Sequence, residues 1–261
     1  MPETIARFLL KRRLIIRPGL ESSDPVAAVN QYIKGLEKYG RTITGKRVLV
    51  FGYGGRFAVG VELLKRGAAH VVLCDHFVLL DEQRNLELMP EYAEFLAVNH
   101  GQVNVRPEFI TLLHGDICDQ NIQGAISEVD YVLSTSVFEH LDGVDPITAA
   151  LAKVTSRQGA QLHYVDLRDH YFKYPFEMLT YSENTWKNLL NPTSNLNRFR
   201  LWDYRMVFER YFGHVEVSVY ARAETEFNWA RRRIRPEFIS GNLEEDAATL
   251  ILVYAEEPRT R

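Results

Sequence analysis

The sequence contains few cysteines: Cys74 and Cys118 are the two in a chain of 261 residues. Two cysteines make neither a disulfide framework nor a cysteine-ligated zinc cluster, and we expect a reducing, cytoplasmic setting. Long apolar runs are also missing, so the sequence predicts no transmembrane helix. The amino-terminal segment MPETIARFLLKRR lacks the apolar core that a secretory signal needs.

A strong excess of one charge is absent too. The formal net charge of -3 gives no reason to expect nucleic acid or an anionic membrane as the main partner. The basic residues at 11–13 are interpreted as a solvated helix face, and those at 231–235 as part of an exposed excursion. Nucleic-acid binding is the weaker alternative for the second group. The 46% share of hydrophobic residues predicts a globular protein with a sizeable core.

The chain does contain a regular alternation of strand and helix patterns. Short apolar runs predict buried strands at 47–52, 70–75, 109–116, 130–136, 160–166, 214–221 and 247–256. Helical spacing predicts helices at 26–40, 57–67, 81–101 with a break or kink at Pro90, 145–159 with its end at Gly159, and 200–212. Strands that alternate with helices predict βαβ units, a parallel sheet and therefore an α/β fold.

Residues 171–186 are unusually aromatic, with six aromatic side chains in sixteen positions against 11% in the whole chain. A connection of this composition after a sheet strand suggests a lid or binding wall, which we place at about 171–205. The alternative is a satellite core that packs against the amino-terminal helices. The two interpretations are compatible with one another.

The stretch FGYGGRFAVG, residues 51–60, places three glycines within four positions directly after a predicted strand. Such a turn lets a cofactor approach the backbone closely. A dinucleotide site needs G-x-G-x-x-G, whose third glycine permits close packing of the helix on the strand. Phe57 occupies that third position here. An NAD(P)-dependent oxidoreductase is therefore the weaker alternative, and S-adenosylmethionine (SAM) is the favoured cofactor.

Four motifs in order resemble the class I SAM-dependent methyltransferases. They are VLVFGYGG, HVVLCD, LLHGDI and STSVFEHLDGVDPITAALAKVTSRQGAQLHYVDL. The resemblance runs from about 46 to 166, with a closing strand pair at 214–221 and 247–255. It implies a doubly wound, mostly parallel seven-stranded sheet with an antiparallel last strand. It also implies a SAM-binding methyltransferase domain at 46–261. The residues before it, 1–45, are predicted from their helical spacing to form a helical extension.

The resemblance further implies which residues surround SAM. The glycine-rich turn would line the methionine and ribose portion through Gly52, Tyr53, Gly54 and Gly55. Asp75 would accept hydrogen bonds from the two ribose hydroxyls, and His76 would lie near the adenine. The alternative for Asp75 is the N-cap of a helix.

On the adenine side, the resemblance implies that Asp116 accepts from the exocyclic amine and that Ile117 packs on the ring, while Ser134 lies near the methionine end. The alternative for Asp116 is a turn aspartate. The sequence departs from the family at Val50, where an acidic residue is common, and at Arg56, where a third glycine is usual. These departures leave a non-catalytic SAM-binding protein as a further alternative.

Three residues are candidates for acid–base chemistry. Methyl transfer from a sulfonium is an in-line displacement, so a base is needed only if the acceptor must lose a proton. His140 follows the predicted strand at 130–136, and Asp169 and His170 follow the strand at 160–166. A neighbouring carboxylate would raise the basicity of His170. Hydrogen bonding to loop backbone, or a supporting role, is the alternative for the two histidines, and His163 is interpreted as a core residue.

A metal site is not predicted. The strand at 130–136 ends in Ser-Thr-Ser without a carboxylate, and Asp166 and Asp169 alone do not make a magnesium site. We therefore predict a metal-independent transfer to a small-molecule acceptor, which the aromatic residues suggest is amphipathic or partly apolar. A homodimer is compatible with the sequence.

Overall fold

The computed structural model describes residues 24–77, 79–170, 172, 174–191 and 195–259. Most of the predicted amino-terminal extension, including the basic residues at 11–13, lies outside the described residues. No helix in the described ranges is long and apolar enough to cross a membrane.

Nine strands and ten α-helices make up the described chain. The strands are β1 Arg47–Phe51, β2 His70–Asp75, β3 Leu96–Asn99, β4 Gln102–Val105, β5 Ile110–His114, β6 Val129–Thr135, β7 Thr155–Asp166, β8 Phe212–Arg222 and β9 Ala248–Pro258. The helices are α1 Pro25–Glu37, α2 Ala58–Lys65, α3 Glu82–Leu86, α4 Met89–Tyr92, α5 Gln120–Ile126, α6 Val144–Val154, α7 Glu183–Thr185, α8 Leu201–Tyr211, α9 Glu224–Ala230 and α10 Leu243–Asp246. Short 3₁₀ or π turns lie at Phe138–His140, Glu177–Thr180, Trp186–Leu190 and Pro236–Phe238.

Seven of the strands form one sheet in the order β5-β2-β1-β6-β7-β9-β8. The first five strands in this order pair in parallel, and β9 pairs antiparallel with both β7 and β8. The predicted mostly parallel, seven-stranded sheet with an antiparallel last strand is therefore confirmed. The connections reverse direction between β1 and β6, which makes the crevice at their carboxyl ends the place where ligands bind in such sheets.

The middle of the sheet is buried on both faces, as the continuous apolar run Val48–Phe51 of β1 shows. Val48 and Val50 of β1 join a core cluster with α1 and α2, whereas Leu49 and Phe51 join a second cluster with α6 and α8. Alternating residues of a strand face opposite sides, so a continuous apolar run must be covered twice. This arrangement confirms the buried strands that the sequence predicted.

Helix α1 begins as predicted: the side chain of Asp24 accepts from the backbone N–H of Ala27, and Pro25 follows in the first turn. The helix ends at Glu37 rather than at Gly40, which closes the next turn at φ +67°. Gly35 lets the helix approach the sheet, because a Cβ at this position would lie 2.7 Å from Cδ2 of Leu162.

The helical segment predicted at 81–101, with a break or kink at Pro90, was wrong in its second half. The helix does break, after Leu86, and α4 begins at Met89 with Pro90 in its first turn, but residues 96–105 form the antiparallel hairpin of β3 and β4. The hairpin turns at His100 and Gly101, with φ of 51° and 79°. Two consecutive positive φ values are typical of the tight turns that join paired strands. The alternation of apolar and polar residues flanking this turn was the signal for strands.

The predicted helix at 145–159 also ends early, at Val154. The hydroxyl of Thr155 donates to the carbonyl of Leu151, and β7 begins at the same residue. Gly159 therefore does not terminate a helix. It lies in β7, where a Cβ would be 2.7 Å from the carbonyl oxygen of Asp130, so that only glycine lets the strand pass.

Candidate functional site

The glycine-rich turn follows β1 at the carboxyl edge of the sheet. Gly52, Gly54 and Gly55 have φ of 78°, 72° and 77°, in the left-handed region that favours glycine. A Cβ on Gly52 would lie 2.5 Å from Cγ2 of Val137, in the segment after β6. The turn thus meets that segment at the crevice between β1 and β6, with no room for a side chain at position 52.

The turn is fixed by Asn85 of α3, a residue that the sequence analysis missed. Its buried amide accepts from the N–H of Phe57 at 2.9 Å and donates to the carbonyl of Gly55 at 3.0 Å. Phe57 itself is buried, and α2 makes its close approach to β2 one turn later, where Gly60 faces Leu73. A single asparagine in an otherwise polar helix gives no sequence signal for this role.

Asp75 lies at the end of β2 beside the turn. Its carboxylate accepts from the N–H of Gly54 at 3.3 Å and from the N–H of Phe77 at 3.0 Å. Asp81, rather than Asp75, caps the following helix α3. A carboxylate oxygen accepts more than one hydrogen bond, so Asp75 retains capacity for ribose hydroxyls while it holds the turn. Burial and the charge of Asp75 both raise the pKa of Tyr53.

The ends of β2 and β5 meet next to Asp75, whose carbonyl accepts from the N–H of Gly115 at 3.1 Å. Asp116 is exposed and accepts from the N–H of Cys118 at 2.8 Å, so it does form the turn that was its alternative role. Ile117 is buried. His76 is exposed, and its ring lies 4.2 Å from that of Phe77. This edge therefore carries the residue types that the resemblance implies for the adenine side.

Ser134 lies near the carboxyl end of β6, and its side chain bonds to a core histidine. Its hydroxyl is buried and lies 2.8 Å from Nδ1 of His163, whose Nε2 lies 3.0 Å from the side-chain oxygen of Gln161. Burial lowers the pKa of His163 to about 3, so this core histidine is neutral. The Ser134 hydroxyl is thus engaged with the core histidine, while its oxygen can still accept a further hydrogen bond.

The end of β7 brings together a histidine and two charged residues. His170 Nε2 lies 3.4 Å from Oδ2 of Asp166, and Arg168 binds both oxygens of the same carboxylate. Burial would raise the pKa of Asp166, but the hydrogen bonds from His170 and Arg168 outweigh it and hold that pKa well below its usual range. The carboxylate partner of His170 is therefore Asp166, four residues earlier at the end of β7, and not the adjacent Asp169.

Asp169 instead holds the start of the aromatic segment. Its side chain accepts from the N–H of Phe172, and its own N–H donates to the carbonyl of Pro175, each at 2.9 Å. The residue is buried. These bonds favour a structural role for Asp169 over the predicted catalytic one.

His140 lies near His170, although the two follow different strands. Their ring centroids are 5.3 Å apart. Nδ1 of His140 lies 2.7 Å from the carbonyl oxygen of Asn195, and a carbonyl can only accept. Nδ1 must therefore carry a proton, so in the neutral ring the lone pair is on Nε2. The two histidines predicted from separate loops thus form one candidate acid–base pair.

Glu139, beside His140, is a buried carboxyl that the sequence analysis did not single out. In the described part of the chain neither of its oxygens has a hydrogen-bond partner. Burial, and also the charge of Asp166, raise the pKa of Glu139 well above its usual range. Burial therefore favours the neutral form of the Glu139 carboxyl.

The aromatic segment forms a satellite core, but with a different partner from the predicted one. Phe176 and Trp186 are buried in a cluster with Phe227 and Ile234 rather than with α1. Two of its residues, 171 and 173, lie outside the described residues, as do 192–194 of the predicted lid. The excursion at 231–235 is exposed at its arginines, as predicted, except that Arg235 is half-buried.

Two buried arginines brace this satellite core. Arg198 donates to the carbonyls of Met178 and Tyr181 at 3.0 and 2.8 Å. Arg200 donates to the carbonyls of Asp246 and Ala248 at 2.9 and 3.0 Å, and burial lowers its pKa to about 10. Neither arginine was predicted, because isolated arginines in a sequence are usually exposed.

A metal site or a separate cavity would be the other place where a ligand could bind. Among the residues that the structure describes, no three His, Cys, Asp or Glu side chains are close enough to hold a metal ion. Cavities of about 250 and 320 Å³ lie beside α1, away from the glycine-rich turn.

The chain is similar to known proteins in its fold and not in its sequence. No protein-family model matches the sequence, and a search of curated proteins finds no match. Phosphoethanolamine N-methyltransferase 2 of Haemonchus contortus, solved with phosphomonomethylethanolamine and S-adenosylhomocysteine, superposes with a TM-score of 0.54 at 17% identity. The match covers 88% of this chain and 53% of that one, so this chain spans about half the length of the nematode enzyme.

Two further solved structures also superpose on this chain. A protein of Galdieria sulphuraria assigned as a sarcosine dimethylglycine methyltransferase gives a TM-score of 0.53 at 13% identity, over 90% of this chain and 85% of that one. A chain from the complex of the Haloferax volcanii Trm112 methyltransferase activator with a methyltransferase gives 0.51 at 15% identity, over 90% and 93%. The chain therefore has the class I SAM-dependent methyltransferase fold.

Proposed function

We propose that the chain is a SAM-dependent methyltransferase that acts on a small-molecule acceptor without a metal ion. The observation that carries the proposal is the left-handed glycine turn after β1, held by Asp75 and Asn85 at the crevice between β1 and β6. Open α/β sheets bind their ligands at this point, and the fold is that of class I methyltransferases.

The residues at this edge fit SAM. The glycines leave no side chain between the backbone and a bound ligand, and Asp75 supplies a carboxylate that can accept from a ribose. Asp116 and Ile117 would serve the adenine, and His76 would lie at its rim. SAM, when bound, supplies a methyl group already activated by a sulfonium.

The residues of the chain would position the acceptor and take up its proton. His170, oriented by Asp166, would be the base, and His140 would stand beside it as the second candidate. A small-molecule acceptor is supported by two neighbours of the same fold, whose names specify phosphoethanolamine and sarcosine or dimethylglycine. We further propose a cytoplasmic location, which the free thiols of Cys74 and Cys118 support.

The first test is calorimetric titration with SAM, S-adenosylhomocysteine, NAD and NADP. We expect the two sulfur nucleotides alone to bind, and Asp75→Asn to weaken their binding at least about tenfold because a charged acceptor of two hydrogen bonds is lost. Asp130→Asn is the matched control. Asp130 also accepts from a backbone N–H, that of Arg47, but it lies at the amino-terminal ends of the strands, far from the glycine-rich turn.

The other outcomes decide between the alternatives. Binding of NAD or NADP would favour the oxidoreductase and contradict the proposal. Binding of SAM without turnover in a broad screen of small amines, alcohols and acids would favour the non-catalytic alternative, which rests on Val50 and Arg56. Equal weakening by the Asp75 and Asp130 variants would show a general loss of stability.

A further inference from the structure

Strand β8 forms an edge of the seven-stranded sheet. In the described part of the chain it pairs with β9 and with no other strand. The strand has 11 residues, whereas β5 at the opposite edge has five. An edge strand presents unpaired backbone N–H and C=O groups, and a long one is a template for another chain.

Strand β8 has few of the features that usually keep an edge strand from pairing with another chain. Phe212–Arg222 contains no proline and no lysine. Its one acidic residue, Glu216, is paired at 2.5 Å with Lys38, the residue that follows α1, so its charge is largely neutralised. The bulges in the strand are confined to the end after Val219. The stretch from His214 to Val219 therefore remains a regular edge that another strand can pair with.

The sequence of this stretch is complementary to itself. Val215, Val217 and Val219 lie on one face of the strand, and the polar residues between them lie on the other. Antiparallel pairing about Val217 sets Val217 opposite the partner's Val217 and Val215 opposite the partner's Val219. On the other face it sets Glu216 opposite the partner's Ser218. Opposed β-branched pairs stabilise antiparallel strands.

Neighbouring registers are less favourable. Centring the pair on Glu216 places two carboxylates opposite one another, which is destabilising. Centring it on Ser218 replaces a valine pair by Val215 and the partner's Ala221, and sets His214 opposite the partner's Arg222. A shift by one residue would also exchange the apolar and polar faces.

We propose that two copies of this chain pair antiparallel through β8 about a two-fold axis at Val217, which joins their sheets into one. Because β8 runs parallel to β7, the partner's strands run in the opposite direction. The carboxyl edges of the two sheets therefore face opposite ways, and both glycine-rich turns stay open. The proposal does not depend on the proposed enzymatic function.

The test combines sedimentation with disulfide crosslinking of the full chain. The wild-type protein is expected to sediment as a dimer that dissociates on dilution. In a Cys118→Ser background, which removes the exposed native thiol, Val217→Cys is expected to crosslink on oxidation. Opposed residues of antiparallel strands have Cα atoms about 4.5–5.5 Å apart, within the range of a disulfide.

Val219→Cys is the matched control, because Val219 is half-buried like Val217 and lies on the same face. In the proposed register the two copies of residue 219 are four residues apart along the strands, about 14 Å, and cannot form a disulfide. A wild-type monomer at all concentrations would overturn the proposal. So would a dimer in which Val217→Cys fails to crosslink, or in which both variants crosslink equally.

Discussion

His170 Nε2, in the loop after β7, lies 3.4 Å from Oδ2 of Asp166, the last residue of that strand. Arg168 donates to the same carboxylate at 2.6 Å, so Asp166 stays ionised and orients the histidine. The ring of His140 lies 5.3 Å from that of His170, from the loop after β6. Two segments whose histidines are 30 residues apart along the chain therefore present one group of titratable side chains after the carboxyl ends of β6 and β7.

Replacing His170 by glutamine is expected to slow formation of S-adenosylhomocysteine by about 100-fold or more for an acceptor that must lose a proton. Calorimetric binding of SAM should be unchanged, since His170 is not among the residues that line the glycine-rich turn. His214→Gln is the control, because that histidine is exposed on β8. A variant that loses SAM binding and turnover together would instead indicate a structural role for His170.

Glu139→Gln is expected to stabilise the protein, increasingly as the pH rises. The pKa of Glu139 is raised in the folded state, so above the unfolded-state value of about 4.3 the folded chain retains a proton that the unfolded chain releases. Wild-type stability therefore falls as the pH rises from there, and glutamine removes this dependence.

The measurement for Glu139 is urea denaturation of wild type and variant at pH 4 and pH 8. We expect similar stability at pH 4 and a gain of about 1–3 kcal/mol for the variant at pH 8. Glu128→Gln, at an exposed position, should change neither value. A variant less stable at pH 8 would mean that the carboxylate is ionised and satisfied.

Gly52→Ala is expected to lower the free energy of unfolding by more than the left-handed backbone conformation alone explains. A Cβ at position 52 meets Val137 at 2.5 Å, whereas Gly40, at a similar φ of 67°, has no atom within 4 Å of its Cβ position. Gly40→Ala should therefore report the backbone penalty of about 1–2 kcal/mol, and Gly52→Ala that penalty plus about 1–3 kcal/mol of overpacking.

Thermal or urea denaturation of the two glycine variants measures the difference directly. Val137→Ala in the Gly52→Ala background should recover part of the lost stability, because the clashing methyl groups are removed. If Gly40→Ala and Gly52→Ala lost the same stability, this result would contradict the close contact between the turn and the segment after β6.

Arg200→Met is expected to destabilise the satellite core by about 2–4 kcal/mol. The buried guanidinium donates to the carbonyls of Asp246 and Ala248, and methionine would leave both without this donor. Hydrogen exchange at 176–190 should become faster than in wild type, because Phe176 and Trp186 share that core. Exposed Arg231→Met is the control, and equal exchange in both variants would contradict a bracing role for Arg200.

Several parts of the site could be predicted because their signals are local. The glycines of the turn, Asp75 after β2 and the two histidines after β6 and β7 follow from short motifs at strand ends. The bonding partners could not be predicted in the same way. Asn85 lies 30 residues from Gly55, and His140 binds a carbonyl 55 residues away.

By itself the sequence determined the parallel core strands, the helices that cover them and the glycine-rich turn, because apolar periodicity and backbone freedom act over a few neighbouring residues. The tertiary structure alone decided that Asp166 orients His170, that Ser134 bonds to a core histidine and that the Glu139 carboxyl is buried. These properties depend on burial and on charges from distant segments, which set hydrogen bonding and pKa only after the chain has packed.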